Sequence, residues 1–136
     1  VYSLPDEIWQ RPWIKVLLIG ERELLDKYEP IYRAEYDNGY AVRSGDRYLD
    51  VVANGVSKGK GMLDMAKKIG IEQNKIIAVG DNMNDISMLE AAGISYAVEN
   101  AEESVKKIAD NLAPSNNGSA IAYIISRLEK IVKTQN

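Results

Sequence analysis

The sequence contains neither cysteine nor histidine. Without cysteine there can be no disulfide, no zinc–thiolate site and no cysteine nucleophile. Without histidine the chain lacks the commonest general base and the commonest metal ligand of proteins. Any catalysis must therefore depend on Asp, Glu, Lys, Ser, Thr or Tyr. Any bound metal is expected to be a hard cation that prefers oxygen ligands, such as Mg²⁺.

The sequence also lacks an excess of positive charge and a long apolar run. Its net charge of −3 gives no electrostatic argument for a nucleic-acid partner or an anionic membrane surface. No apolar run approaches the roughly 18 residues of a membrane span. We therefore expect a soluble, cytoplasmic protein with no nucleic-acid and no membrane partner. With 136 residues, 46% of them hydrophobic, the chain suffices for one ordinary domain or two small ones.

Residues 1–53 have the pattern of a small α+β unit. The segment "WIKVLLIG" at 13–20 is typical of a β-strand, and helical spacing follows it as far as Pro30. Two short strand patterns then flank Gly45-Asp46, a dipeptide typical of a tight hairpin turn. A strand, a helix and a hairpin predict an antiparallel sheet with one helix.

From residue 54 onward, helical and strand patterns alternate. Helical spacing over 58–69 ends at Gly70, a residue typical of helix C-termini, and the four apolar residues 76–79 predict a strand buried on both faces. Further strands are predicted at 94–98 and 111–114, and further helices at 85–92, 101–110 and 118–132. This alternation predicts a parallel sheet in an α/β fold, with a domain boundary between residues 53 and 54.

The segment "IIAVGDNMND" places polar residues directly after the buried strand at 76–79. Open α/β sheets bind ligands at the carboxyl ends of their strands, and Gly80 is expected to let the backbone turn sharply there. Asp81 and Asp85, with Asn82 and Asn84 between them, form an acidic loop that suits Mg²⁺. The same residues are also typical of a simple helix start, because Asn and Asp are favoured N-caps. Spacing alone leaves both interpretations open.

Two lysines, Lys58 and Lys60, flank Gly59 at the start of a predicted helix. The helix dipole disfavours a cation at this end, so a lysine here is expected to serve an anion such as a phosphate or a carboxylate. A solvated surface lysine is the alternative that the residues themselves leave open.

These segments together resemble a known family. "GVSKGKGMLDMAKKIGI", followed by the segment from "IIAVGDNMND" to "SAIAYII", resembles the C-terminal portion of a haloacid dehalogenase (HAD) superfamily phosphatase of the Cof-type subgroup. The resemblance covers residues 56–125 closely, and the Gly-Asp-x-x-Asn-Asp signature with a Lys-Gly upstream is specific in combination. It implies a partial Rossmann-like core at 54–136 and, at 1–53, the end of an α/β cap domain.

The resemblance also implies a chemistry and assigns residues to it. Such enzymes hydrolyse small phosphate monoesters, for example sugar phosphates or nucleotides, through an aspartyl-phosphate and with Mg²⁺. By resemblance, Lys58 is the catalytic and substrate-binding lysine, and Asp81 holds the metal. Asp85 is catalytic and metal-associated, and Asn84 contacts the substrate phosphate. Two further asparagines are expected near the same sheet edge: Asn100 and Asn117.

One part of the family pattern is missing. The nucleophile motif Asp-x-Asp-x-Thr does not occur: Asp37 comes nearest, but Gly39 stands where the second Asp belongs. The chain by itself is therefore expected not to turn over substrate. It is interpreted as a fragment of an active enzyme, one polypeptide of a split enzyme, or a non-catalytic interaction module. In the family, the nucleophile strand lies beside the strand that ends in Gly-Asp, so its absence predicts an unpaired edge and self-association.

Overall fold

The computed structural model describes residues 5–10, 12–35 and 39–134. The chain divides into two compact units, Val1–Asn54 and Gly55–Asn136. Asp37 lies outside the described residues. In the described part of the chain, no helix is both long and apolar enough to cross a bilayer.

The first unit contains a three-stranded antiparallel sheet. After the short helix α1 (Asp6–Trp9), its elements are β1 (Lys15–Ile19), α2 (Arg22–Glu35), β2 (Gly39–Gly45) and β3 (Tyr48–Ala53). The strand order is β1-β3-β2, so the hairpin β2–β3 contributes the central strand and one edge. The predicted hairpin is confirmed. Its turn lies one residue later than predicted, because Gly45 still pairs with Tyr48 after an irregularity in register.

Helix α2 corrects one sequence prediction. The helix does not end at Pro30 but continues to Glu35. A proline inside a helix removes a backbone hydrogen bond and crowds the preceding turn, at a cost of about 3 kcal/mol. Packing offsets this cost, since Leu25 before the proline is a core residue and Tyr32 after it packs against the same cluster. The apolar contacts on both sides of Pro30 thus extend the helix through it.

The second unit is a parallel α/β structure, as the sequence predicts. Its elements, in chain order, are α3 (Lys58–Ile69), β4 (Ile77–Gly80), α4 (Ile86–Ala91), β5 (Ile94–Val98), α5 (Glu103–Lys106), β6 (Asn111–Ala113) and α6 (Ala120–Thr134). The three strands are parallel in the order β4-β5-β6. Central strand β5 is the most buried, with all four residues from Ser95 to Val98 buried. In the described residues, β4 pairs with β5 alone and is therefore an edge strand.

The ends of α3 follow from local sequence. Ser57 caps its N-terminus by accepting a hydrogen bond from the Lys60 backbone N–H at 3.1 Å. Gly70 ends it in the left-handed conformation, with φ of 75°, where a side chain would be strained. The predicted helix at 58–69 is confirmed at both ends.

Helix α5 is shorter than predicted. Helical spacing extends over 101–110, but only Glu103–Lys106 is α-helical. Asp110 is held instead by the buried Ser95: its carboxylate accepts hydrogen bonds from the Ser95 N–H and hydroxyl, both at 2.8 Å. This contact holds Asp110 against β5, directly before β6 begins, so the helix ends before Asp110.

Candidate functional site

The candidate site lies at the carboxyl end of β4, where Gly80 ends the strand and Asp81 follows it. A single 3₁₀ turn, Met83–Asp85, leads from there into α4. The Asn82 side chain accepts a hydrogen bond from the backbone of Asp85, and the Asp85 side chain accepts one from the backbone of Asn82. This reciprocal capping box fixes the loop at the start of α4.

Asp85 is the most constrained acidic residue of the loop. Its side chain is buried, and Oδ2 accepts the backbone N–H groups of Asp81 at 3.0 Å and Asn82 at 3.2 Å. Oδ1 accepts a hydrogen bond from Nζ of Lys58 at 2.5 Å. Both carboxylate oxygens of Asp85 therefore already have partners within the protein.

The pKa of Asp85 reflects these contacts. Burial raises this pKa, but the hydrogen bond from Lys58, the backbone N–H groups of Asp81 and Asn82 and the positive charge of Lys58 together lower it below its ordinary value. The carboxylate is consequently ionised at neutral pH. The buried negative charge has a fixed cationic partner in Lys58.

Gly80 has a spatial role that differs from the one predicted. It was expected to allow a sharp turn, but it is not among the glycines with positive φ. A Cβ on Gly80 would lie 2.6 Å from Cβ of Asp85 and 3.0 Å from its Cγ. The Asp85 side chain therefore packs directly on the bare backbone of Gly80, and glycine is required for that contact.

Lys58 occupies the first position of α3, directly after the Ser57 cap. Its side chain is 48% exposed, while its ammonium group is bound to the buried Asp85. The ion pair explains why a cation occupies the unfavourable end of a helix. Because the Lys58 side chain is half-exposed, its ammonium group can also contact an exogenous anion.

A cavity of about 670 Å³ opens beside this ion pair. Lys58, Asp81 and Asp85 line its polar end, together with Asn116 and Ser119 from the turn before α6. The rest of the lining is formed by Val79, Gly80, Met88, Val98 and the first turn of α6. The cavity thus combines charged residues with an apolar wall at the carboxyl end of β4.

The predicted asparagines are placed differently from one another. Asn100 stabilises the turn before α6, because its Oδ1 accepts a hydrogen bond from the backbone N–H of Asn116 at 3.0 Å. Asn116 lines the cavity and Asn117 is not among the lining residues. Oδ1 of Asn84 is buried and has no hydrogen-bond partner among the described residues. Contacts of Asn84, Asn100 and Asn117 with a ligand stay predictions.

The donors present suit a hard cation. In residues 5–10, 12–35 and 39–134, no three or more His, Cys, Asp or Glu side chains are grouped to hold a metal. Mg²⁺ needs fewer, since it commonly binds one or two carboxylates and keeps waters or substrate phosphate as its other ligands. Asp81 accepts one side-chain hydrogen bond, from Asn82 at 3.3 Å, and has more free acceptor capacity than Asp85. Asp81 therefore fits a direct ligand better.

Comparison with known proteins decides the family. The family model for haloacid dehalogenase-like hydrolases matches residues 1–125. The chain belongs to the haloacid dehalogenase-like hydrolases. It is 41% identical over 92 residues to the phosphoglycolate phosphatase of Methanopyrus kandleri, an overlap covering 68% of this chain and 37% of that protein.

Solved HAD-like structures share the fold. A haloacid dehalogenase-like hydrolase from B. subtilis matches with a TM-score of 0.80 and 29% identity, over 90% of this chain and 45% of that one. A HAD subclass IIB sugar phosphatase matches with a TM-score of 0.71 and 28% identity, over 86% and 44%. The resemblance to Cof-type phosphatases and the predicted α/β fold are both confirmed. The chain spans about half the length of the curated relatives it matches over the widest range, at 47% and 46%.

Asn116 and Ser87 are among the polar residues of this HAD-like site that sequence reasoning missed. Asn116 lines the cavity, and Ser87 accepts a hydrogen bond from the Gly59 N–H at 3.2 Å. Asn116 directly precedes Asn117, the predicted residue, in a loop where no periodicity indicates which side chain faces the site. Ser87 looks like an ordinary polar residue in the first turn of a helix. Only its position opposite Gly59, 28 residues away, distinguishes it.

Proposed function

We propose that this chain supplies the lysine-and-carboxylate side of a Mg²⁺-dependent phosphatase site that acts on small phosphate monoesters. The observation that carries this proposal is the ion pair between Lys58 and the buried Asp85, beside Asp81 at the end of β4. The pair presents a fixed ammonium group to a cavity large enough for a small metabolite. A membership in the HAD-like hydrolases supports phosphoryl transfer as the chemistry.

Lys58, Asp85 and Asp81 have different proposed roles in the site. Lys58 donates hydrogen bonds to phosphate oxygens and neutralises the charge that develops on the transferred phosphoryl group. Asp85 orients that lysine and, through the Asp81 N–H, the loop that carries Asp81. Asp81 would hold Mg²⁺, which when bound supplies further positive charge at the phosphate oxygens. Asp85 is assigned to positioning because protein groups occupy both of its oxygens, and its direct contact with metal stays a prediction.

The nucleophile must come from residues outside this sequence. The proposed reaction forms a bond between an aspartate oxygen and phosphorus while the ester P–O bond breaks, and the alcohol leaves with a proton from a neighbouring acid. Water then hydrolyses the aspartyl-phosphate. The 136 residues contain no Asp-x-Asp-x-Thr segment to provide the attacking aspartate or the acid. We therefore propose that this chain alone does not turn over substrate.

The substrate class rests on the cavity and on related proteins. The cavity combines a cationic end at Lys58 with an apolar wall that includes Val79 and Met88. Related proteins include a phosphoglycolate phosphatase and a sugar phosphatase, which are enzymes for small phosphorylated metabolites. We propose a substrate of this size, a sugar phosphate or a nucleotide. A cytoplasmic location fits such a substrate and stays a prediction.

Binding of inorganic phosphate tests the proposal without requiring turnover. The chain, labelled with ¹⁵N, is titrated with phosphate in the presence of Mg²⁺. The expected result is a saturable shift of the amide signals around Lys58 and Asp81, lost in Lys58→Met. Lys60→Met is the matched control, because Lys60 lies in the same helical turn but pairs with the exposed Asp64. Equal shifts in both variants, or none in the wild type, would overturn the proposal.

A second candidate function is a non-catalytic interaction module that keeps the fold and lacks the chemistry. The absence of Asp-x-Asp from the sequence favours it. The coding sequence upstream of Val1 discriminates the two. An in-frame Asp-x-Asp-x-Thr segment followed by more of the cap supports the phosphatase, and a start codon close to Val1 supports the module. Hydrolysis of p-nitrophenyl phosphate by the purified chain above background would contradict the proposed lack of turnover.

A further inference from the structure

The beginning of α3 is held by two serines from different parts of the chain. A helix leaves its first backbone N–H groups without partners inside the helix. Ser57, directly before α3, accepts the N–H of Lys60 at 3.1 Å. Ser87, in α4, accepts the N–H of Gly59 at 3.2 Å. The first turn of α3 is thus fixed both by its own N-cap and by a second helix.

The backbones of α3 and α4 touch at this point. Gly59 is buried, and a Cβ placed on it would lie 2.1 Å from the carbonyl oxygen of Ser87 and 2.5 Å from its carbonyl carbon. No side chain fits in that space. The hydrogen bond from the Gly59 N–H to the Ser87 hydroxyl therefore lies where the backbones of the two helices are in direct contact.

This contact is adjacent to the ion pair of the site. Gly59 follows Lys58 directly, and Ser87 lies two residues after Asp85. The first turn of α3 is therefore joined twice to the segment that runs from the 3₁₀ turn into α4, once by the Lys58–Asp85 ion pair and once by the Gly59–Ser87 hydrogen bond. A lysine side chain has several rotatable bonds and loses considerable entropy when it is held in one position. When the backbone of Lys58 is fixed, its ammonium group samples fewer positions, so less entropy is lost when the group is held at Asp85.

We propose that Ser87 is a positioning residue for Lys58: its hydroxyl fixes the first turn of α3 so that the lysine ammonium stays against Asp85 and faces the phosphate. This inference rests on the proposed function of Lys58. Ser87→Ala removes the acceptor and leaves Lys58 and Asp85 in place. The expected effect is a loss of phosphate affinity of about threefold to tenfold, the range for one neutral hydrogen bond.

Two measurements on the full chain test the proposal. The first is the ¹⁵N signal of the Lys58 ammonium group, which is observable when the group is held in an ion pair and protected from exchange. The second is the affinity for inorganic phosphate in the presence of Mg²⁺. Ser87→Ala is expected to broaden the Lys58 signal and weaken phosphate binding, and Ser87→Thr, which keeps a hydroxyl, to restore both. Ser126→Ala is the matched control, because the Ser126 hydroxyl bonds to Tyr123 within α6.

The outcomes separate this inference from the proposed function. If wild-type protein binds no phosphate, the proposed function fails, and the Lys58 signal still decides whether Ser87 positions the lysine. If Ser87→Ala lowers thermal stability but leaves both the Lys58 signal and phosphate affinity unchanged, Ser87 is only structural and the inference is overturned. If Ser87→Ala does not fold, hydrogen exchange of the Gly59 amide in the wild type decides. Rapid exchange there overturns the inference, and strong protection supports the hydrogen bond on which it rests.

Discussion

Nζ of Lys58 lies 2.5 Å from Oδ1 of Asp85, although 27 residues separate the two in the chain. The carboxylate is buried while the lysine side chain remains 48% exposed. Removing the partner of a buried charge is strongly destabilising. Loss of Lys58 and loss of Asp85 are therefore expected to differ in their effect on stability. Loss of Lys58 leaves a buried anion, whereas loss of Asp85 leaves a lysine that solvent can reach.

Acid is expected to destabilise the second unit through Asp85. The pKa of Asp85 is lowered in the folded state from its ordinary value of 3.8, so its contribution to stability is complete above that value. The contribution is lost as the pH falls below 3.8 and through the lower native pKa. The free energy of unfolding, measured by denaturant titration from pH 7 to pH 2, should fall less steeply in Asp85→Asn than in the wild type.

Asp110→Asn is the control for this pH dependence. The pKa of Asp110 is also lowered, by hydrogen bonds from Ser95, and Lys58 is not among the groups that shift it. In Asp110→Asn, the free energy of unfolding should still show the decrease at low pH that Asp85 contributes. Identical pH profiles for Asp85→Asn and the wild type would contradict the assignment.

Gly80→Ala is expected to displace Asp85 and destabilise the protein. The added Cβ would lie 2.6 Å from Cβ of Asp85, so the side chain or the loop must move. Overpacking of this kind costs about 1–3 kcal/mol. Chemical denaturation measures the loss, and the Lys58 ammonium signal should broaden with it.

Gly61→Ala is the matched variant for Gly80→Ala. Gly61 lies in α3, and nothing is within 4 Å of an added Cβ. Alanine there should raise the free energy of unfolding by about 0.5–1 kcal/mol, since glycine is unfavourable inside a helix. Equal destabilisation by both variants would show that the contact between Gly80 and Asp85 is not the cause.

Asp81→Asn is expected to weaken Mg²⁺ binding by at least about tenfold, as loss of even an outer partner of a metal site costs that much. The measurement is a titration with Mg²⁺ alone, followed by the amide signals of the loop. Asp64→Asn is the control, because Asp64 is exposed on α3 and pairs with Lys60. A wild-type protein without saturable Mg²⁺-dependent shifts, or a variant that binds as tightly, would reject Asp81 as the ligand.

Self-association is expected through the edge of β4, which pairs with β5 alone among the described residues. Parallel strands are usually covered, and an unpaired edge invites pairing with another chain. Beside it, Ile121 is 58% exposed and lines the same cavity as Val79. Light scattering should show a mass that rises with concentration. Ile121→Lys should lower this apparent mass, whereas Ile69→Lys, on the similarly exposed Ile69 of α3, should not. A monodisperse monomer at high concentration would count against the prediction.

Local signals made parts of this fold predictable. Helix α3 was predicted with both ends correct, because its helical spacing stops at Gly70, which takes the left-handed conformation. Helices α2 and α5 were not, because distant contacts decided them. Leu25 and Tyr32 hold α2 together across Pro30, and Ser95 binds Asp110 so that α5 ends early.

The sequence by itself determined the alternation of helices and strands, the acidic loop after β4, and the absence of an Asp-x-Asp nucleophile. These features depend on residues a few positions apart, where periodicity and capping operate. The tertiary structure alone decided that Lys58 meets Asp85, that Ser87 meets Gly59, and that Asp85 packs on Gly80. Such contacts arise from the packing of α3 and α4 at the end of β4. Their geometry depends on the summed burial of many side chains and cannot be derived from any local pattern.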